Sequence, residues 1–318
     1  MSMKFGGASS VTHTLDWKGS DYLCRVVTPA TESRLNTLLV LPGIMYPLHS
    51  WPRLEAEFAD IRRLVFVELP GVTTATSAVP RLTWEFLLGA TVNILDSLGI
   101  QRCDVLAASA CGPLGYRLAH QYGDRISRLV LVGAPSQNLS RETEELIRHI
   151  DRFITLKPSL SGDRARRKEF AGIIAETLTL SNSTRGRRSA AMIALALRHK
   201  LSRLPREDYI RYVQYHNDLM LNPGAEVIPP GLIEGVPTLA VYGEHDRITP
   251  PGSGRELAGN IADCTVAVIK QCGHMLNNER SKEFNDLINR FLAGNSLTPL
   301  PYLADISTGQ TVRASDRM

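Results

Sequence analysis

The sequence has little that would mark a membrane, secreted, metal-dependent or nucleotide-dependent protein. Nowhere in its 318 residues does it approach the ~20 successive apolar residues that span a bilayer. Its opening stretch, MSMKFGGASSVTHTLDW, holds no apolar run that would serve as a signal-peptide core. It contains no C-x-x-C pair, no H-E-x-x-H and no clustered carboxylates, so no metal site and no cofactor are expected. PGIMYPLHSW is not a phosphate-binding loop, and no G-x-G-x-x-G opens a helix. Cysteines number only five, an odd count that argues against a disulfide framework. Reduced thiols packed as small hydrophobes in a cytoplasmic protein are the simplest expectation. Charge of either sign is nearly balanced, and a net +4 is too small to argue for nucleic acid.

That balance is uneven along the chain. Residues 141–221 carry 16 Lys and Arg against 10 Asp and Glu, an excess larger than the net charge of the whole chain. Such a stretch is either a solvated helical surface or a docking face for an anionic partner such as acyl carrier protein or coenzyme A. With 43% hydrophobic and 21% charged residues, the chain has the composition of a globular protein with a sizeable core.

Short β-branched-rich runs alternate with helix-period segments. TLLVLPG (37–43), RLVFVELPG (63–71), CDVLAAS (103–109), SRLVLVGAP (127–135), VPTLAVYGEHD (236–246) and CTVAVIKQCGH (264–274) each read as a buried strand closed by small or turn-forming residues. Helical stretches at 83–98, 112–122, 252–261 and 280–293 separate them. This order predicts an α/β fold, a mostly parallel central sheet flanked by helices on both faces. HTLDW and YLCRVV near the start read as an antiparallel edge hairpin. From 137 to 225 the pattern is helical throughout, which predicts an inserted cap, or lid, within a core formed by 1–136 and 226–294. The tail, 295–318, is rich in Pro, Ser and Thr and is expected to be loosely ordered.

Acyl transfer by a serine needs a nucleophile, a base, a carboxylate to orient the base, and donors for the oxyanion. On an open α/β sheet these groups belong at the carboxyl ends of strands. Ser109 follows CDVLAA, Asp246 follows LAVYGEH and His274 follows VAVIKQCG, in the chain order Ser, Asp, His. Around Ser109 the sequence reads A-A-S-A-C, with Ala107 and Cys111 where a nucleophile elbow usually has glycines. Those positions require smallness, so Ala107 fits easily and Cys111 is the larger departure. The expected oxyanion donors are the backbone amides of Ala110 and Ile44. Substrate contacts are expected from Met45, Trp51, Tyr212, His216 and Met275, although Trp51 equally suits simple core packing.

With those residues in place, the chain resembles the α/β-hydrolase-fold superfamily with a helical cap, over about residues 20–293. FVELPGVTTATS resembles the D-x-P-G-x-G-x-S loop, with Glu68 in place of Asp; RISRLVLVGAP resembles the strand entering the cap; GHMLNNERSKEFNDLINRFL resembles the segment around the histidine and its last helix. The A-A-S-A-C-G elbow, Pro42-Gly43 in place of His-Gly, and YIRYVQYHNDLMLN are also similar to 3-(3-hydroxyalkanoyloxy)alkanoate synthases and to 3-hydroxyacyl-carrier transferases or thioesterases. Those enzymes have E-Y-T after the catalytic Asp, where this chain has R-I-T.

The leading expectation is therefore a serine hydrolase that cleaves a small-molecule ester or thioester through an acyl-enzyme. An acyltransferase or thioesterase acting on carrier- or CoA-bound chains is the alternative. A carbon–carbon bond hydrolase shares the same triad, and a non-catalytic ligand-binding protein on the same fold is the reading from another class.

Overall fold

The computed structural model describes residues 7–43, 48–70, 82–137, 164–180, 183–201 and 226–308, together with Arg141, Glu144, Glu145, Arg148 and Leu219. Among these residues nine strands form one sheet: β1 (Ser9–Trp17), β2 (Ser20–Thr28), β3 (Leu38–Leu41), β4 (Leu64–Glu68), β5 (Cys103–Ala108), β6 (Ile126–Val132), β7 (Thr238–Gly243), β8 (Cys264–Ile269) and β9 (Leu303–Thr308). Their spatial order is β1-β2-β4-β3-β5-β6-β7-β8-β9. From β4 to β8 every neighbouring pair is parallel, and the antiparallel pairs lie at the two edges.

The helices are α1 (Pro52–Phe58), α2 (Trp84–Ser97), α3 (Gly112–Gln121), α4 (Arg164–Leu178), α5 (Thr184–Leu201), α6 (Pro251–Ala258), α7 (Leu276–Glu279) and α8 (Ser281–Leu292). They cover both faces of the sheet. Because a strand alternates its side chains, Leu39, Val105 and Ala107 pack with α2 and α3 on one face. Leu38, Leu106 and Ala108 pack with α1 and α8 on the other. Burial on two sides is why the central strands are continuously apolar, whereas β1, at an edge, is largely exposed.

α3 lies unusually close to the sheet. A Cβ at Gly112 would fall 2.4 Å from Cβ of Ala134, and one at Gly115 would fall 2.4 Å from Cβ of Ala107. Two glycines one turn apart thus let the helix backbone settle onto β5 and the end of β6.

The helices α4 and α5 fall between β6 and β7 in the chain, where the sequence pattern places an insertion. The rest of 137–225, also expected to be helical, lies mostly outside the described residues. At the other end, residues 303–308 of the tail depart from the expectation of loose order. Leu303–Thr308 pairs antiparallel with β8 as the edge strand β9. Tyr302 Oη donates to Asp286 at 2.6 Å, Lys270 Nζ donates to the Pro301 carbonyl at 2.9 Å, and Arg255 pairs with Asp305 at 2.8 Å. Leu303 is buried beneath this edge. An antiparallel edge strand needs only one covered face, so LADIST lacks the apolar run that identifies its neighbours.

Candidate active site

β5 ends at Ala108, and the chain turns at once through Ser109–Cys111 into α3. Ser109 sits at φ +50°, a left-handed conformation that costs a non-glycine residue about 1–3 kcal/mol. The turn aims Oγ out of the sheet, and Ser109 is partly exposed. Ala107 and Cys111 are buried on either side. The first meets Gly115 across the helix–sheet interface, so the room a glycine would leave in the elbow is supplied from the helix instead. Burial pushes the Cys111 thiol up to about 12, leaving it a packed, protonated side chain.

The loop after β7 carries Asp246 and the loop after β8 carries His274. His274 Nε2 lies 2.9 Å from Ser109 Oγ, and its Nδ1 lies 2.8 Å from Asp246 Oδ2. Asp246 is held in turn: its Oδ1 accepts the backbone amides of Ile248 and Thr249, both at 2.9 Å. Thr249 Oγ1 stands 3.0 Å from Asp246 Oδ2, 3.1 Å from the Gly133 carbonyl and 3.2 Å from His274 Nδ1. With its carboxylate so restrained, Asp246 fixes which imidazole nitrogen keeps a proton. Only the serine end of this line meets solvent, since the side chains of His274 and Asp246 are 5% and 0% exposed.

Two opposing effects act on His274. Burial alone would lower its pKa; the charge of Asp246 and its hydrogen bond, helped by the nearby Glu279, outweigh it and leave the imidazole above its ordinary value. Gly133 makes room for the ring. It ends β6 at φ +54°, and a Cβ there would lie 2.9 Å from His274 Cε1.

The remaining expected residues divide three ways. Ala110 follows the nucleophile in the elbow turn, while Met275 is buried beside His274 at the start of α7. Trp51 is buried, its ring centroid 6.3 Å from that of Phe284. Ile44, Met45, Tyr212 and His216 lie outside the described residues. Leu48, the first described residue after Ile44 and Met45, is held: its amide donates to Glu68 Oε1 at 3.1 Å and its carbonyl accepts from Arg25 at 3.1 Å. Glu68, the residue that departs from the D-x-P-G pattern, is thus a buried acceptor for the Leu48 amide. Sequence reasoning missed the roles of Thr249 and Glu279. The signal for the first was the Thr retained in R-I-T; for the second it was a lone acid within an otherwise polar GHMLNNER.

A family model described as alpha/beta hydrolase fold matches residues 36–281. The chain belongs to that family. It is 27% identical over 208 residues to a 2-hydroxymuconate semialdehyde hydrolase of Pseudomonas putida, a match spanning 64% of this chain and 66% of that protein, just under two thirds of its length. It is 24% identical over 247 residues to a 2-hydroxy-6-oxononadienedioate/2-hydroxy-6-oxononatrienedioate hydrolase of Escherichia coli K12, covering 76% of this chain and 79% of the relative. Among solved structures it superposes on an enol-lactonase from Burkholderia xenovorans LB400 with a TM-score of 0.68 at 21% identity, over 88% of this chain and all of the other. A thermophilic esterase from Thermogutta terrifontis gives 0.64 at 19% identity, over 90% and 98%. At such identities these structures establish the shared fold. The narrower similarity to hydroxyalkanoate synthases finds no support among these relatives. No described helix is long and apolar enough to cross a membrane.

Proposed function

We propose that the protein is a serine hydrolase that opens an ester or thioester through an acyl-enzyme on Ser109. The observation that carries this reading is the unbroken line of contacts from Ser109 Oγ through His274 to Asp246, at 2.9 and 2.8 Å. His274 Nε2 takes the hydroxyl proton as Ser109 attacks the substrate carbonyl, and Asp246 stabilises the imidazolium that forms. The backbone amide of Ala110, with that of Ile44, holds the developing oxyanion. The imidazolium then returns its proton to the leaving alkoxide or thiolate, and water repeats the sequence to release the acid.

A second reading is favoured by the curated relatives, whose names describe hydrolases of 2-hydroxy-6-oxo dienoates and of a hydroxymuconate semialdehyde. Under it the same serine and histidine would serve cleavage of an acyl–carbon bond. Such a leaving group is a carbanion, so the substrate would need a conjugated carbonyl to receive the electron pair. A carrier- or CoA-bound acyl chain belongs to the first reading, and the basic excess of 141–221 is what would recommend it. α5 contributes to that excess, with no acidic residue among 184–201 and with Arg187 and Arg188 exposed.

Steady-state turnover of three substrate types separates these readings: p-nitrophenyl esters, acyl-CoA thioesters and a 2-hydroxy-6-oxo dienoate. Turnover of an ester or thioester that disappears in Ser109→Ala is the expected result. Turnover confined to the dienoate would replace the first reading by the second. No turnover of any by folded protein would favour a ligand-binding role.

A further inference from the structure

Glu279, at the end of α7, is a buried acid that the proposed chemistry does not use. Its Oε2 accepts the Leu180 amide at 3.0 Å, while its Oε1, buried and without a hydrogen-bond partner among the described residues, faces Gly273 beside His274, where a Cβ would lie 3.0 Å from it. Leu180 lies on the link between α4 and α5. That link runs so close to the histidine turn that a Cβ at Gly273 would fall 2.8 Å from the Leu180 nitrogen and 2.9 Å from the Thr179 carbonyl carbon. The contact is reciprocal, because the His274 amide donates to the Leu178 carbonyl at 3.0 Å, at the end of α4.

Leu180 also governs the start of α5. Its carbonyl receives the Ser183 amide and hydroxyl, and Ser183 Oγ caps the helix by accepting the Gly186 amide at 2.9 Å. On the opposite side, Arg53 in α1 holds α7 to the core through the Asn278 carbonyl at 2.8 Å. One short helix is therefore fastened to the sheet layer by Arg53 and to the inserted helices by Glu279. His274 sits on the turn between them.

We infer that Glu279 is a positioning residue: its carboxylate locks the α4–α5 link onto the His274 turn, so that the inserted helices and the imidazole keep one fixed relation. The inference rests on the reading of Ser109 and His274 as nucleophile and base. The Leu180 amide relies on this buried carboxylate, and an amide deprived of its acceptor away from water must find another by moving. The amide of His274 is committed to Leu178, so movement of the link displaces the histidine turn with it. The 2.9 Å contact from Nε2 to Ser109 is the distance that suffers.

The test uses an alkyl fluorophosphonate, whose phosphorus accepts Ser109 Oγ as the P–F bond breaks, fluoride leaves and the serine proton passes to His274. The saturating rate constant reports the base, and the half-saturating concentration reports pocket binding. In Glu279→Ala the rate constant should fall by about ten-fold or more. The half-saturating concentration should stay within about three-fold of wild type. Glu279→Gln keeps an acceptor for Leu180 but makes it neutral and weaker, so its rate constant should lie between the two; should the alanine variant fail to fold, a clear fall in the glutamine variant carries the test. Amide hydrogen exchange at His274 should accelerate in both variants.

A variant with an unchanged rate constant, or with only its half-saturating concentration changed, would overturn the inference. Absence of any adduct on wild type would instead count against Ser109 as nucleophile. Hydrogen exchange then still decides the linkage, because an undiminished protection of the His274 amide in Glu279→Ala would contradict it.

Discussion

Ser109 is held in a left-handed turn with its hydroxyl toward solvent, while the two groups that would activate it are dry. That division allows a substrate to reach the nucleophile while water is kept from the Asp246–His274 pair. Because the Asp246 charge is a main reason the imidazole stands above its ordinary pKa, neutralising it has a signed consequence. Activity should rise with pH as His274 loses its proton, with a midpoint above the ordinary histidine value. In Asp246→Asn, burial acts with less opposition, so the midpoint should move to lower pH while the maximal rate falls by about 10³–10⁴-fold. A pH profile of the acylation rate checks both. Thr249→Val removes the hydroxyl that bridges Asp246 and the Gly133 carbonyl; a smaller loss, of the order of ten-fold in kcat with KM little changed, is expected for a residue that only orients the acid.

At this scale the sequence was most informative about Ser109, Asp246 and His274, whose strand-end positions could be counted directly. Thr249 and Glu279 were harder to read, because their contacts reach backbone groups at Gly133 and Leu180, more than 90 residues away along the chain. Trp51 was ambiguous for a related reason. An aromatic ring near a loop looks the same in sequence whether it faces a ligand or packs, as Trp51 does, beside a ring such as Phe284.

Among the elements, α3 shows how a departure from a motif is absorbed. The elbow has Ala107 where a glycine is usual, and the opposing helix position is Gly115. Gly115→Ala would place two Cβ atoms 2.4 Å apart in a packed interface. Despite alanine's better helix propensity, the variant should lose about 1–3 kcal/mol, read as a lower unfolding midpoint in urea with an unchanged slope. The central strands were readable because burial on both faces makes them continuously apolar. β9 was not, since the Pro-rich segment before it dominates the composition of the tail and only one face of the strand is covered.

For the whole molecule, β9 closes the sheet beyond β8, the strand that leads to His274. Deleting residues 303–318 would remove its pairing, the buried Leu303 and the Arg255–Asp305 contact. Burial of one leucine alone is worth about 1.5–3 kcal/mol. The truncated protein should therefore melt about 5 °C or more below the full chain by calorimetry. The family assignment explains why a sheet of this order, with helices inserted between β6 and β7, brings three distant strand ends together.

The most direct measurement is the intact mass of the protein after exposure to a fluorophosphonate, on wild type and on Ser109→Ala. One adduct on wild type and none on the variant is the expected result. A folded wild type that takes no adduct, or a variant that takes the same one, would contradict the central claim that Ser109 is an activated nucleophile.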